Sequence, residues 1–177
     1  MKKVFAFILG VLLLTGCQEN KFQEAAQKEI ENCESVFKMA SKVNDDILDC
    51  FKDYVPDKYA YMQADSLEYR AKLSKEFVGK VKSIVDKSDL NSAIDNMAIV
   101  NDTENVILSY DGENQKQKEA ITQIFEDIRS YGLEVLAAST ADFYIDALIR
   151  KDGKATELRD KIVREIEAYH KNYPKSE

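Results

Sequence analysis

Three observations in the sequence predict an all-α protein, a helical bundle of about five to seven helices. Apolar residues recur at three- and four-residue spacing along almost the whole chain. Residues that interrupt helices are rare, since Pro56 is the only proline before the C-terminal tail. Val106-Ile107-Leu108 is the one segment that could form a strand, and no second strand is apparent to pair with it. A bundle is the architecture that this pattern favours.

The first predicted helices are Phe22–Lys42 and Asn44–Tyr54, and Pro56 ends the second one. Asn44 fits an N-cap, because two acidic residues follow it in the position that the helix dipole favours. An alternative stays open. The apolar stripe runs on without interruption through Ala40, Val43 and Ile47, as it would in a single long helix.

The rest of the chain continues the helical pattern. A helix is expected from about Ala64 to Val85, and another over Asp89–Val100 with Ser88 as its cap. Asn105–Tyr110 is a short segment that favours helix, and Asp111-Gly112 marks a turn. A long helical pattern follows from Glu113 to Ile149, with a possible bend at Gly132. Lys151-Asp152-Gly153 predicts a further turn, and the last helix runs from Ala155 to about Tyr169.

The N-terminus has the organisation of a secretory leader. Lys2 and Lys3 precede an apolar run from Val4 to Leu14, which is shorter than the roughly 20 residues that span a bilayer. The run ends in Leu14-Thr15-Gly16-Cys17, which resembles the lipobox of bacterial lipoprotein precursors. That resemblance covers residues 1–17. It implies cleavage between Gly16 and Cys17, with lipid attached to the Cys17 sulfur.

These features predict three segments: a cleaved signal peptide over 1–16, a lipidated Cys17 with a short tether over 17–21, and one helical domain over 22–173. In Gram-negative lipoproteins an Asp after the lipidated Cys favours the inner membrane, and residue 18 is Gln. The resemblance therefore implies the periplasmic face of the outer membrane, with the inner membrane or a cell-surface lipid anchor as alternatives.

Charge limits the possible partners. The precursor has a formal charge of −7, and loss of Lys2 and Lys3 with the leader leaves 23 basic against 32 acidic side chains. Nucleic acid is not an expected partner, because its phosphates require a basic surface. An acidic chain is also not drawn to anionic lipid, so the lipid on Cys17 is the expected membrane attachment.

Cys33 and Cys50 are the other cysteines, and an oxidising periplasm favours a disulfide between them. In one continuous helix they would be about 25 Å apart, whereas a disulfide needs Cα atoms within about 7 Å. A disulfide therefore requires the chain to reverse near Asn44. One long helix with two buried thiols is the alternative.

The sequence offers little for catalysis, so no enzyme activity, cofactor or metal site is expected. His170 is the only histidine and lies in a charged C-terminal helix, where a solvated side chain is expected. Asp45, Asp46, Asp49 and Asp53 share a helix face, which is typical of a solvated acidic surface. No phosphate-binding, dinucleotide-binding or hydrolase motif occurs.

Tyrosine is enriched, with nine Tyr and no Trp. Tyr54, Tyr59, Tyr61 and Met62 cluster around Pro56, as candidates either for closing the bundle or for contacting a partner. The predicted function is that of a non-enzymatic accessory lipoprotein acting on another envelope protein. Lipobox, helicity and cysteine number are similar to those of the pilotins of secretion systems, and an exclusion or immunity role is equally open. The alternative is a binding module with a small or polymeric ligand, such as a peptide or glycan, in a groove between helices.

Overall fold

A computed structural model describes residues 2–54, 67–97, 99, 101–137 and 144–174, with side chains at 18–53, 75–97, 99, 101–137 and 155–174. These residues form helices and no strand, so the predicted all-α class is confirmed. In chain order they are α1 (Lys2–Tyr54), α2 (Leu67–Asp86), α3 (Leu90–Met97), α4 (Asp102–Ser109), α5 (Gln115–Ala137) and α6 (Tyr144–Asn172).

The long helix α1 organises the fold, and α2, α3 and α4 return along it in the opposite direction. Near the C-terminal end of α1, the Phe77 ring of α2 meets Phe51 edge-on, with ring centroids 5.8 Å apart. Near the beginning of the part of α1 whose side chains are described, Tyr110, just after α4, stacks on Phe22. These three helices therefore act together as one interrupted antiparallel partner of α1.

The last two helices complete the bundle. In α5, which runs parallel to α1, Gln117 bonds Gln23 at one level, and Tyr131 contacts Phe37 at another. In α6, which is antiparallel to α1, Arg159 pairs with Asp45 and His170 lies against Glu34. The arrangement is an up-and-down four-helix bundle whose second member is broken into three pieces.

The core lies where these helices face one another, and aliphatic residues fill it. Fully buried side chains include Phe22, Ile30, Ile47, Phe77, Leu90, Ile121, Ile124, Ile128, Tyr131 and Ile162. They come from every helix whose side chains are described except α4, which contributes the nearly buried Ile107. The apolar stripes in the sequence are thus the surfaces that the fold removes from water.

The predicted break at Asn44 is wrong, because α1 continues through it to Tyr54. Val43 and Ile47 are both buried on the face that also carries Ala40. Ending the helix at Asn44 would remove this face from the core. The uninterrupted stripe therefore outweighs the local capping signal of Asn44.

Further details of the helices correct or extend the expectations. Asn101 begins α4 as its N-cap, since its side-chain oxygen accepts the Glu104 N–H at 2.9 Å. The predicted turn at 151–153 is wrong, because those residues lie inside α6. One glycine costs a helix about 1 kcal/mol, which does not by itself stop it. Gly132 likewise lies inside α5, where a Cβ would overlap the Ile94 side chain of α3.

Candidate functional site at the Cys17 end

The end of the bundle that contains Cys17 carries the most connected polar network among the described side chains. Residues 18–21, expected to form a tether, are part of α1. They lie beside the turn that joins α4 to α5, residues 110–114. Gln18 Nε2 is 3.5 Å from Asp111 Oδ1 across this junction. The helix is therefore docked on the domain from the residue directly after Cys17.

Glu19 is the centre of the network. Its carboxylate accepts hydrogen bonds from the Tyr110 hydroxyl and from the Asn114 side-chain amide. A third donor is Gln23 Nε2, one turn along α1 and 3.1 Å from Glu19 Oε1. We call Glu19, Tyr110 and Asn114 the Glu19 clasp. Hydrogen bonds to an ionised carboxylate are stronger than neutral ones, so the clasp fixes the beginning of the domain.

The turn is shaped to present the two donors. A Cβ at Gly112 would overlap the Tyr110 ring, so glycine lets that ring fold over towards α1. Gln115 Nε2 donates to the backbone oxygen of Gly112 at 3.0 Å. Lys118 Nζ donates to the backbone oxygens of Leu108 and Tyr110, at 2.6 and 2.8 Å. These contacts hold the ends of α4 and α5 together.

The clasp is continuous with the core. The Tyr110 ring stacks on Phe22 with centroids 4.0 Å apart and planes 20° from parallel. Phe22 is fully buried, and it is only five residues after Cys17. Between Cys17 and the core there is consequently little more than one helical turn of chain.

Electrostatics agree with an ionised Glu19. Donation by the Tyr110 hydroxyl, helped by Gln23 and Asn114, holds the pKa of Glu19 below its usual range despite some burial. Burial and the neighbouring Glu19 raise the pKa of the Tyr110 hydroxyl. At neutral pH the acceptor is therefore charged and the donor protonated, as the clasp requires.

Cys33 and Cys50 do not form the expected disulfide, because both belong to the one helix α1 and both are free thiols. Seventeen residues of helix separate them by about 25 Å. Cys33 is fully buried, and burial together with Glu29 raises its pKa. Cys50 is half-buried, and burial followed by Asp53 raises its pKa. The long-helix alternative is the one that the structure adopts.

The other predicted site residues are described only in part. Gly16 and Cys17 lie in α1, and the Cys17 side chain is outside the described set. The same holds for Tyr54, the last residue of α1, while Tyr59, Tyr61 and Met62 are outside the described residues altogether. His170 is not simply solvated, because its ring contacts the Glu34 carboxylate.

The acidic face around Cys50 is a solvated surface. Asp45 pairs with Arg159 of α6 at 2.7 Å, and Asp49 pairs with Lys52 on its own helix at 2.7 Å. Asp46, Asp49, Asp53 and Lys80 border a shallow groove beside Cys50. In the described part of the chain, no group of three or more His, Cys, Asp or Glu side chains is arranged to hold a metal ion.

Two carboxyl groups with opposed pKa shifts lie between α5 and α6. Burial opposes ionisation of Asp127, but Lys161 at 2.6 Å and Gln123 at 3.0 Å hold its pKa below the usual range. Burial and the adjacent Asp127 raise the pKa of Glu165. Such a pair is a known pattern for acid–base catalysis. Here Lys161 contacts both groups, and its ion pair with Asp127 links α6 to α5.

A groove of about 420 Å³ lies where the end of α6 meets α1 and α5. Gln117, which is buried, donates to the Tyr169 hydroxyl at 2.9 Å and exchanges hydrogen bonds with Gln23 at 3.1 and 3.2 Å. Other wall residues are Glu24, Gln27, Lys28, Glu31, Tyr173 and Pro174. This volume is in the range of ligand pockets, and the walls combine amides with tyrosine rings.

The Glu19 clasp was not predicted from the sequence. The turn at Asp111-Gly112 was expected, and the two donors flank it, but Glu19 is more than 90 residues away in sequence. One sequence signal was available: Phe22 begins the apolar stripe only five residues after Cys17.

Comparison with known proteins adds no functional information, because no family model, curated protein or solved structure matches the chain.

Proposed function

We propose that the protein is a bacterial lipoprotein, held by lipid on Cys17 at the periplasmic face of the outer membrane. Its leader would be residues 1–16, and its role that of a non-enzymatic accessory protein acting on another envelope protein. The observation that carries the proposal is the sequence Leu14-Thr15-Gly16-Cys17, directly followed by the part of α1 that contacts the rest of the domain. Among the described residues, no helix is long and apolar enough to cross a membrane.

The anchor is tested with Cys17→Ser, and Cys50→Ser serves as the matched control. Each variant is expressed with its own leader, and membrane and soluble fractions are separated. We expect Cys17→Ser to leave the membrane fraction, while Cys50→Ser stays there because its thiol plays no part in anchoring. Cys17→Ser protein that remained membrane-bound would refute the proposal.

The choice of membrane is tested at residue 18. Gln18→Asp introduces the residue that favours the inner membrane in Gram-negative lipoproteins. This variant should therefore move from the outer-membrane to the inner-membrane fraction in a density gradient. Gln18→Ser is the control and should stay in the outer-membrane fraction. Wild-type protein in the inner membrane would contradict the proposed location.

The partner-binding role is tested at an exposed apolar position. Ile99, between α3 and α4, has 63% of its surface exposed, the largest fraction among the large apolar side chains described. Single exposed apolar residues are common on protein surfaces, so position 99 serves as a probe site and not as evidence of an interface. A photo-crosslinking residue at position 99 should capture one dominant envelope protein in intact cells. The same residue at Asp95, also exposed and one turn earlier, is the control. No dominant product at position 99 would argue against a partner at this surface.

The groove beside Tyr169 supports the second candidate function, a binding module for a peptide or glycan. The exposed polar side chains of its wall, Glu24 and Lys28 among them, would supply hydrogen bonds, and Tyr173 would supply a ring face. Short peptides and amino-sugar oligomers should then raise the melting temperature of the wild-type protein, and Tyr173→Ala should remove the effect. Unchanged melting temperatures with every probe would exclude these two ligand classes.

A further inference from the structure

Cys17 and the C-terminal end of α1 are far apart, and the rest of the bundle follows the axis of this helix. Cys17 and Tyr54 are separated by 37 residues of continuous helix, which corresponds to about 55 Å at 1.5 Å per residue. Contacts are spread along this helix: α5 and α6 each meet it at two levels, and α2 and the residue after α4 meet it at positions 29 residues apart. The domain is therefore elongated, and Cys17 lies at one end of its long axis.

The residues that follow Cys17 are held in place by contacts with the rest of the domain. Gln18 contacts Asp111, Glu19 is held by the clasp, and Phe22 is fixed in the core. A flexible linker would allow a lipid-anchored domain to take any orientation, as polar linkers several residues long do. Here the lipid-bearing residue would instead be continuous with a rigid helix.

Removal of the leader would make the contacts of Glu19 more important for the stability of α1. Cleavage before Cys17 makes residues 17–20 the first turn of α1, whose backbone N–H groups then lose their partners in the helix. An acidic side chain in the first turn is favoured by the helix dipole, and Glu19 would occupy such a position. The clasp would also prevent the new helix end from fraying.

The surface around Cys17 is suited to a position beside lipid headgroups. The exposed residues there are polar or charged with both signs, namely Gln18, Asn20, Lys21, Asp111 and Glu113. Leu108, half exposed at the end of α4, is an apolar side chain close to the same end. A mixed surface of this kind tolerates headgroups, while the acyl chains on Cys17 provide the attachment.

From these observations we infer that the anchored bundle stands upright on the bilayer. The partner of the Cys17 end is the lipid surface itself, with the 110–114 turn facing the headgroups and the Tyr54 end about 55 Å away. The inference rests on the proposed lipidation of Cys17. Tyr54 would then lie at the membrane-distal end of α1, and Tyr59 and Tyr61 follow it in the sequence.

The test measures energy transfer from the protein to acceptor-labelled lipid. Lipidated protein is reconstituted in phosphatidylethanolamine–phosphatidylglycerol vesicles with a donor dye on Glu113→Cys or Lys52→Cys, both in a Cys50→Ser background. Both positions are exposed, and neither is part of the clasp. Transfer from position 113 should exceed that from position 52 several-fold.

A second comparison tests the clasp. Glu19→Ala should increase transfer from position 52, because a loosened anchor lets the bundle tip towards the bilayer. Glu24→Ala, which removes an exposed carboxylate on the same helix, should leave it unchanged. Equal transfer from positions 113 and 52 in lipidated wild-type background would overturn the upright arrangement alone. Absence of lipid on Cys17, read from the mass of the same sample, would overturn the proposed function and this inference with it.

Discussion

At the scale of single residues, two glutamates on α1 have opposite environments. Glu19 has three donors and a lowered pKa, whereas Glu29 is only 3% exposed and burial raises its pKa, with Glu104 adding to the effect. Both belong to a similar amphipathic stretch of α1, and nothing in the neighbouring sequence predicts that their environments differ. Their difference comes from what α4 and the 110–114 turn bring near each one.

Loss of the clasp should destabilise the protein. Glu19→Ala removes a charged acceptor, and a hydrogen bond of this kind contributes about 1 kcal/mol or somewhat more. Urea unfolding should show this loss for Glu19→Ala, and only a small change for the control Glu24→Ala. Equal stabilities of the two variants would mean that the clasp does not fix the helix.

The clasp should also depend on pH. Because the folded-state pKa of Glu19 is lowered, its stabilising effect is complete above the ordinary pKa of a glutamate, near 4.5. The effect is lost as the pH falls through the lowered value. The difference in unfolding free energy between wild type and Glu19→Ala should therefore be constant near neutral pH and shrink in acid. A difference that grew on acidification would contradict the assignment.

Glu29 should behave in the opposite way. A raised folded-state pKa means that the protonated form suits the core, and stability is lost as the pH rises through that value. Glu29→Gln should accordingly raise the melting temperature at neutral pH by a few degrees. The gain should diminish in acid, where wild-type Glu29 is protonated as well. Glu24→Gln, at an exposed position, is the control and should change the melting temperature little at either pH.

At the scale of helices, packing decides where local signals are ambiguous. Asn44 has the neighbours of an N-cap, yet α1 passes through it because Val43 and Ile47 complete a buried face. Asn101 has a similar appearance and does cap α4. The sequence was sufficient for the helical class, for the turn at Asp111-Gly112 and for most apolar faces. It was not sufficient to tell these two asparagines apart, because the difference depends on contacts with other helices.

Gly132 provides a test of helix packing. Gly132→Ala should destabilise the protein, because the new Cβ would overlap Ile94 and push α3 away from α5. The matched control is Gly79→Ala in α2, where a Cβ meets nothing within 4 Å. That change should stabilise by roughly 0.5–1 kcal/mol, since alanine is the better helix former. Thermal unfolding of both variants distinguishes the two environments.

The continuous α1 makes a prediction about the cysteines. Denatured protein that has never been treated with a reductant should contain two alkylatable thiols, Cys33 and Cys50, besides Cys17, the proposed lipidation site. In the native state Cys50 should react first, because Cys33 is fully buried and its pKa is further raised. A mass consistent with an internal disulfide would contradict the single helix.

At the scale of the whole molecule, the clasp joins the helix segment after Cys17, the proposed lipidation site, to the rest of the bundle. The predicted division into a tether over 17–21 and a domain from residue 22 reflected the polar character of residues 18–21. Their polar side chains instead bond the α4–α5 turn, as Gln18 and Glu19 do. Polarity in sequence indicates contact with water or with polar partners, and only the fold shows which of the two applies. A lipid anchor joined to this helix without a flexible linker would give the elongated bundle a defined orientation relative to the membrane.

The most direct test of the proposed lipid anchor is the mass of the N-terminal peptide of protein extracted from the membrane of cells that express the full sequence. We expect a peptide that begins at Cys17 and carries a diacylglyceryl group on sulfur, with a further acyl chain on the new amino group. A peptide that begins elsewhere, or that begins at an unmodified Cys17, would contradict it.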